Sequence, residues 1–217
     1  MEMLEIQLKL LRLSHMSKAL TLCLQEAKAN ELSHEDFLSA LLQEELQGRK
    51  DGSFKKRLKQ SKLDESNTVD KFDFSFNNTI SKKLIKELAT SRFVHMKENV
   101  LFLGPPGVGK THLATALGIQ AIASGYEVLY CCGYDIAEAA ANAHLNSKRD
   151  VFMQRLIKPG LLILDEFGMK ELSNKLSEDL LEVIYRRYKK SSTIICTNRP
   201  IKDWGTIFGD THLFHQC

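Results

Sequence analysis

The sequence predicts an α/β fold: a parallel sheet flanked by helices, preceded by a small helical module. Three observations predict it. Gly104-Pro105-Pro106-Gly107-Val108-Gly109-Lys110-Thr111 fits G-x-x-x-x-G-K-[ST], and it lies between a short apolar run and a stretch rich in Ala, Leu and Ile. Leu161 to Leu164 is a second short apolar run, and it delivers Asp165 and Glu166 at its end. Ahead of both, leucines recur at helical spacing.

The glycine-rich stretch carries the most chemistry. Asn99 to Leu103 before it has the length of a buried strand, and Thr111 to Ala123 after it reads as a helix. A strand, a glycine loop and a helix are the parts a polyphosphate site needs. The glycines let backbone N–H groups turn toward the phosphates, and the helix N-terminus adds positive potential. Gly104, Pro105, Pro106, Gly107, Val108, Gly109, Lys110, Thr111 and His112 are therefore the candidate nucleotide contacts. Lys110 reaches the β- and γ-phosphates, and the Thr111 hydroxyl binds Mg²⁺. Mg-ATP is the expected ligand.

Composition bounds the rest. The 217 residues suffice for one α/β domain and a small extra module. With 43% hydrophobic and 26% charged residues the chain is ordinary for a globular protein. A net charge of +3 does not make the whole chain a polyanion binder, so any such claim rests on local patches. The five cysteines form no C-x-x-C pair, and an odd count favours a reducing cytoplasm. Met1-Glu2-Met3-Leu4-Glu5 is acidic where a signal peptide is basic. No apolar run approaches the ~20 residues of a membrane span, so no membrane partner is expected.

The amino-terminal part reads as helices. Leu4, Leu8 and Leu11 repeat at i, i+4, i+7, as do Leu20, Leu24 and Ala27, which predicts helix over residues 2–29. Ser33-His34-Glu35-Asp36 resembles a capping box opening a second helix, with Phe37, Leu38, Leu41 and Leu42 as its stripe. Gln47 to Lys62 is basic. Arg49, Lys50, Lys55, Lys56, Arg57, Lys59 and Lys62 stand against Asp51 alone, a balance of +6. This stretch is either a contact for nucleic-acid phosphates or a solvated linker or helix face. Residues 1–62 form the expected module and 63–78 a polar linker, leaving 79–217 for the core. Within the linker, Phe72-Asp73-Phe74-Ser75-Phe76 alternates aromatic and polar residues, as an extended segment or an aromatic anchor does, with a place beside the adenine as a further reading.

Beyond the phosphate loop, Glu127 to Cys131 is a strand, and Gly133 to Asn146 and Asp150 to Ile157 are helices. Ligands of open α/β sheets sit at the carboxyl ends of strands. That rule puts Asp165 where it can hold Mg²⁺ through water, and Glu166 where it can polarise a water as general base. Leu176, Leu180, Val183 and Ile184 mark a helix whose end, Arg186 to Lys190, complements the helix dipole. Ser192 to Thr197 is a further strand, and Asn198 at its end can bind the γ-phosphate or the lytic water.

Gly104–Thr111, Leu161–Glu166 and Thr197-Asn198-Arg199-Pro200 together resemble the Walker A, Walker B and sensor-1 segments of AAA+ P-loop NTPases. Residues 104–114 and 197–205 are similar to IstB, the helper ATPase of an insertion-sequence transposase, and the replicative helicase loader DnaC is a more distant relative. The resemblance reaches to about Leu213. It implies a homo-oligomer that assembles on double-stranded DNA with Mg-ATP and delivers a transposase to its target. It assigns phosphate and Mg²⁺ to Lys110 and Thr111, the Walker B roles to Asp165 and Glu166, and sensor 1 to Asn198. The family continues after Phe208-Gly209-Asp210 with a fifth strand and an arginine finger, whereas this chain finishes Thr-His-Leu-Phe-His-Gln-Cys. Arg199 and Arg187 do not match the finger position. The core is thus expected to be incomplete at its carboxyl end, its hydrolysis weak, and the strand before the phosphate loop a sheet edge. A hydrolysis-defective ATP-binding module and a helicase loader with a replicative helicase as partner are the alternative readings.

Overall fold

The computed structural model of the chain describes residues 2–75, 77, 79–168 and 172–208. The chain divides into two compact units, Met1–Lys56 and Arg57–Cys217. The division falls inside a helix, six residues ahead of the boundary expected at residue 62.

In the first unit, residues 2–29 form two helices rather than one, α1 (Glu2–Leu10) and α2 (Ser14–Ala29). Arg12 between them takes a left-handed φ of 58°. The break lets both helices bring side chains to one cluster, where Leu8 and Leu13 pack against Met16, Leu20, Cys23 and Leu41. One straight helix would carry its two stripes past each other. The next helix, α3 (His34–Ser61), begins where the sequence signals it, with the Asp36 N–H donating to Ser33 Oγ at 3.1 Å. It then runs without interruption through the basic stretch.

Glu45 of α3 is only 4% exposed and accepts the N–H groups of His15 and Met16 at 2.8 and 2.9 Å. A carboxylate from one helix thereby caps the amino terminus of another. Arg49 donates to Glu45 at 2.7 Å and to the Arg12 carbonyl at 2.9 Å. Burial alone would raise the Glu45 carboxyl, but the bonds from Arg49, Met16 and His15 pull it below the ordinary glutamate range.

The second unit is a parallel sheet between helices. In chain order come α4 (Lys82–Ala89), α5 (Arg92–His95), β1 (Val100–Leu103), α6 (Lys110–Ala123), β2 (Val128–Cys132), α7 (Gly133–Leu145), α8 (Arg149–Ile157), β3 (Leu161–Asp165), α9 (Asn174–Arg187), β4 (Ser192–Thr197) and α10 (Trp204–Ile207). The strand order is β1-β4-β3-β2, all parallel, with Val100 opposite Ile194, Leu161 opposite Ser192 and Val128 opposite Leu161. β3 is buried along its whole length, as its unbroken apolar run requires. β1 is not. Among the described residues it is an edge strand, and Leu101 and Leu103 are 39% and 48% exposed. The expected incompleteness of the core at its carboxyl end turns on residues 209–217, which lie outside the described residues.

Two sequence readings are corrected here. Leu63, assigned to a polar linker, is buried against α6 beside Gly118. Arg187, read only as a cation suiting the dipole at the end of α9, is 2% exposed. Its guanidinium donates to the carbonyls of Leu156, Ile157 and Pro159 at 3.0, 2.9 and 2.8 Å, to Thr193 Oγ1 at 3.1 Å and to the Ser192 carbonyl. It ties the turn before β3 to the start of β4. No carboxylate pairs with it among the described residues, and burial brings its pKa down to about 10.

Candidate nucleotide site

The sheet order sets the site. β4 lies between β1 and β3, so the carboxyl ends of these three strands stand side by side. β1 leads into the phosphate loop, β4 delivers Asn198, and β3 delivers Asp165 and Glu166. The Gly104 N–H donates to the Thr197 carbonyl at 3.2 Å, which fixes the mouth of the loop beside Asn198. The Phe167 N–H donates to the Cys196 carbonyl at 2.9 Å, and Thr197 Oγ1 donates to the Phe167 carbonyl at 2.7 Å. These bonds lock the β3 end to the β4 end.

Within the loop, Gly107 and Gly109 have φ of 80° and 89°, values that favour glycine. Gly109 also leads into α6, and a Cβ there would collide with the Phe72 ring. Lys110 Nζ donates to the carbonyls of Gly104 and Pro105, both at 2.8 Å. The ammonium is thus folded over the loop, partnered by neutral oxygens that a phosphate can replace. Thr111 is exposed in the first turn of α6. The helix behind it is rigidly held, with Leu113, Ala114, Leu117, Ala121 and Ile122 fully buried.

The His112 side chain faces the segment ahead of the core. Its Nε2 lies 2.8 Å from the Thr68 carbonyl, and its ring meets Phe72 edge-on at 5.4 Å. The ring anchors the 68–74 segment against the phosphate loop. Phe72 also packs edge-on against Phe74 at 4.9 Å, and Lys82 Nζ lies 5.4 Å from the Phe74 ring centre. The alternating aromatics up to Phe74 are an anchor on the domain; Phe76 lies outside the described residues.

The two carboxylates occupy unlike surroundings. Asp165 is 3% exposed and accepts from Tyr130 Oη at 2.8 Å and from the Glu166 N–H at 2.9 Å. Glu166 is exposed, has a left-handed φ of 52°, and accepts from Cys132 Sγ at 3.1 Å. Tyr130 and Cys132 lie two apart on β2, on one face, so a single strand serves both carboxylates. Burial and the bond to Asp165 raise the Tyr130 hydroxyl, while burial and the bond to Glu166 raise the Cys132 thiol. Both remain protonated donors at neutral pH. The following Gly133 comes so close that a Cβ would stand 2.8 Å from the Glu166 carbonyl oxygen. Sequence reasoning missed Tyr130 and Cys132. Their period-2 spacing on a strand beside the acidic one was the available signal.

Asn198 Oδ1 is buried and has no hydrogen-bond partner among the described residues. This acceptor, between the phosphate loop and the carboxylates, is open to a donor. The residues also suit Mg²⁺. Among the described residues no trio of His, Cys, Asp or Glu converges, but Mg²⁺ on a nucleotide needs only one or two protein oxygens besides phosphates and water. Thr111 and Asp165 can supply those.

The basic residues are distributed unevenly. Lys50, Lys55, Lys56 and Lys59 are exposed on α3, Arg57 is half-buried, and Arg49 is engaged by Glu45 and the Arg12 carbonyl. No helix among the described residues is long and apolar enough to cross a membrane.

A parallel sheet in the order β1-β4-β3-β2, with a glycine loop after β1 and acidic residues after β3, defines a P-loop ATP-binding protein of the AAA+ class. Residues 6–216 match the family described as IstB-like ATP binding protein, and the chain belongs to that family. A putative ATP-binding protein of insertion sequence IS21 from Pseudomonas aeruginosa is 38% identical over 210 residues, 97% of this chain and 79% of that one. The fold is similar to domain III of the Thermotoga maritima replication initiation protein DnaA, with a TM-score of 0.60 and 18% identity over 68% of this chain and 62% of that one. It is also similar to the DnaC helicase loader, with a TM-score of 0.50 and 23% identity over 67% and 85%.

Proposed function

We propose that this chain hydrolyses Mg-ATP, assembles with copies of itself on double-stranded DNA in the cytoplasm, and helps a transposase in target selection. The observation that carries the ATPase reading is the row of strand ends, with an orphaned Asn198 acceptor between a cationic loop and two carboxylates of unlike burial. The insertion-sequence relatives support the transposition reading.

In this reading the loop N–H groups and Lys110 bind the β- and γ-phosphates and offset the charge that grows on their oxygens. Thr111 and Asp165 hold Mg²⁺, which supplies further charge neutralisation when bound. Asn198 Oδ1 accepts a hydrogen bond from the attacking water and orients it. Glu166 takes the proton of that water as its oxygen bonds to the γ-phosphorus and the bond to the β–γ bridging oxygen breaks. The exposed Glu166 suits a proton acceptor, and the buried Asp165, fixed by Tyr130, suits a metal contact. Lys50, Lys55, Lys56, Arg57 and Lys59 contribute contacts to DNA phosphates, with Arg49 in a supporting place behind them.

The test is phosphate release with and without duplex DNA. Glu166→Gln should keep binding of a fluorescent ATP analogue while turnover falls by roughly 10²–10⁴. Lys110→Ala should abolish that binding. Equal turnover in parent and Glu166→Gln would remove the general base from Glu166. Failure of the parent to retain a transposase in pull-down would remove the partner.

A further inference from the structure

One cavity lies away from the phosphate loop, on the β2 edge of the sheet and toward the amino-terminal ends of its strands. Its volume is about 440 Å³. Two helices line it with matched pairs at i, i+3. The end of α3 presents Arg57 and Gln60, and α8 with the residue after it presents Arg155 and Lys158. Gln154 adds a second amide, and Glu127 is the one carboxylate of the lining. None of the three cations forms an ion pair among the described residues.

The bland account is that cations suit helix carboxyl ends. It explains each helix alone. It does not explain why two helices turn three unpaired cations into one cavity beside an apolar strand. The positive field is felt in the sheet itself. Burial lifts the Cys131 thiol to about 11, and the charges of Arg155 and Lys62 work against that rise.

We propose that this cavity seats the phosphodiester backbone of duplex DNA, with Arg57, Arg155 and Lys158 as its phosphate contacts. The inference rests on the reading of this chain as a protein that works on DNA, and it adds a second contact surface on the ATPase core. Guanidinium groups pair with phosphate in two-bond geometry, and the amides of Gln60 and Gln154 donate to phosphate oxygens without reading sequence. Lys59 of α3 and Lys62 just past its end are further exposed cations of the same segment.

The experiment measures binding of the full chain to a fluorescein-labelled duplex over a range of salt concentrations. Each neutralised phosphate contributes about 0.9 to the slope of log affinity against log salt. Arg155→Glu with Lys158→Glu should make the slope shallower by about 2 and weaken unrelated sequences alike. The milder pair Arg155→Gln with Lys158→Gln, checked for an unchanged melting temperature, should move the slope in the same direction. A slope equal to the parent's in both pairs overturns the proposal. If Lys55→Glu with Lys56→Glu flattens the slope while the α8 pairs do not, DNA binding stands and the cavity falls. If the parent binds no duplex at all, the DNA reading and this inference fall together. Calorimetry with inorganic tripolyphosphate separates the remaining source. Binding that needs Arg155 and Lys158, beside an unchanged DNA slope, makes the cavity a small-anion site and refutes the assignment to DNA.

Discussion

Replacing Arg187 by Met keeps most of the side-chain volume and removes the charge. Four carbonyls and one hydroxyl then lose their donor. An orphaned buried acceptor costs about 1–3 kcal/mol, and the low end applies to carbonyls that keep a second partner. Against that stands the relief of no longer burying an unpaired cation, of about 1–2 kcal/mol by analogy with buried pairs replaced by apolar groups. The net expectation is a loss of about 3 kcal/mol, or about 6–12 °C in Tm for a unit of this size. Arg187→Ala adds a cavity and should lose about 5 kcal/mol. Arg187→Lys, which keeps a charge but has three donors instead of five, should fall between parent and Met. Urea unfolding followed by circular dichroism gives the values. ATP-analogue affinity should be unchanged under native conditions, because the clamp lies at the amino-terminal ends of β3 and β4. Arg187→Met within ~0.5 kcal/mol of the parent would refute the account of Arg187 as the tie between the two turns.

Further outcomes follow from other contacts. Glu45→Gln should cost about 1–2 kcal/mol in the first unit, read as faster hydrogen exchange over residues 14–29. Because the folded state holds the Glu45 carboxyl low, the parent keeps this stabilisation above the ordinary glutamate pKa of about 4.3 and loses it as pH falls through the lower folded value. The Gln variant should therefore show a flatter exchange profile across that acid window. Tyr130→Phe should leave Asp165 without its buried donor and raise the Mg²⁺ concentration needed for half-maximal turnover, with stability changed by about 1 kcal/mol; an unchanged Mg²⁺ requirement would contradict its positioning role. Gly133→Ala should lower turnover much more than nucleotide affinity, since the added carbon must push the Glu166 backbone aside. Parental kinetics in that variant would mean the β2–α7 turn yields freely.

Much of this architecture can be read from the amino acids, and the reason is physical. Each strand is a short apolar run bounded by glycine, proline or polar turns, and the phosphate loop is a local device whose residues are adjacent in the chain. Its place between β1 and α6 is therefore legible. What stayed hidden depends on residues distant in the chain. Tyr130 and Asp165 meet only because β2 pairs with β3, and His112 meets Thr68 across 44 positions. Arg187 was visible in part. Leu176, Leu180 and Val183 set a buried stripe, and Arg187 continues it at i+4, whereas Ile184, placed in that stripe, is 36% exposed. A cation on an apolar stripe marks a burial that the dipole reading overlooks. Likewise Asp179 on the inner side of α9 is buried because His144 and Arg149 reach it at 2.7 Å from two other elements.

The position of the Arg187 clamp bears on how this protein can change over generations. From Leu161 to Asp165 the strand rises by about 13 Å, which separates the clamp from the carboxylates by more than the range over which substitutions usually couple. Losses of stability at one end and alterations of chemistry at the other should therefore combine additively. A lineage adapting to heat or cold can retune the foundation of the sheet without renegotiating turnover, and a lineage drifting in partner or rate can do so on an undisturbed base.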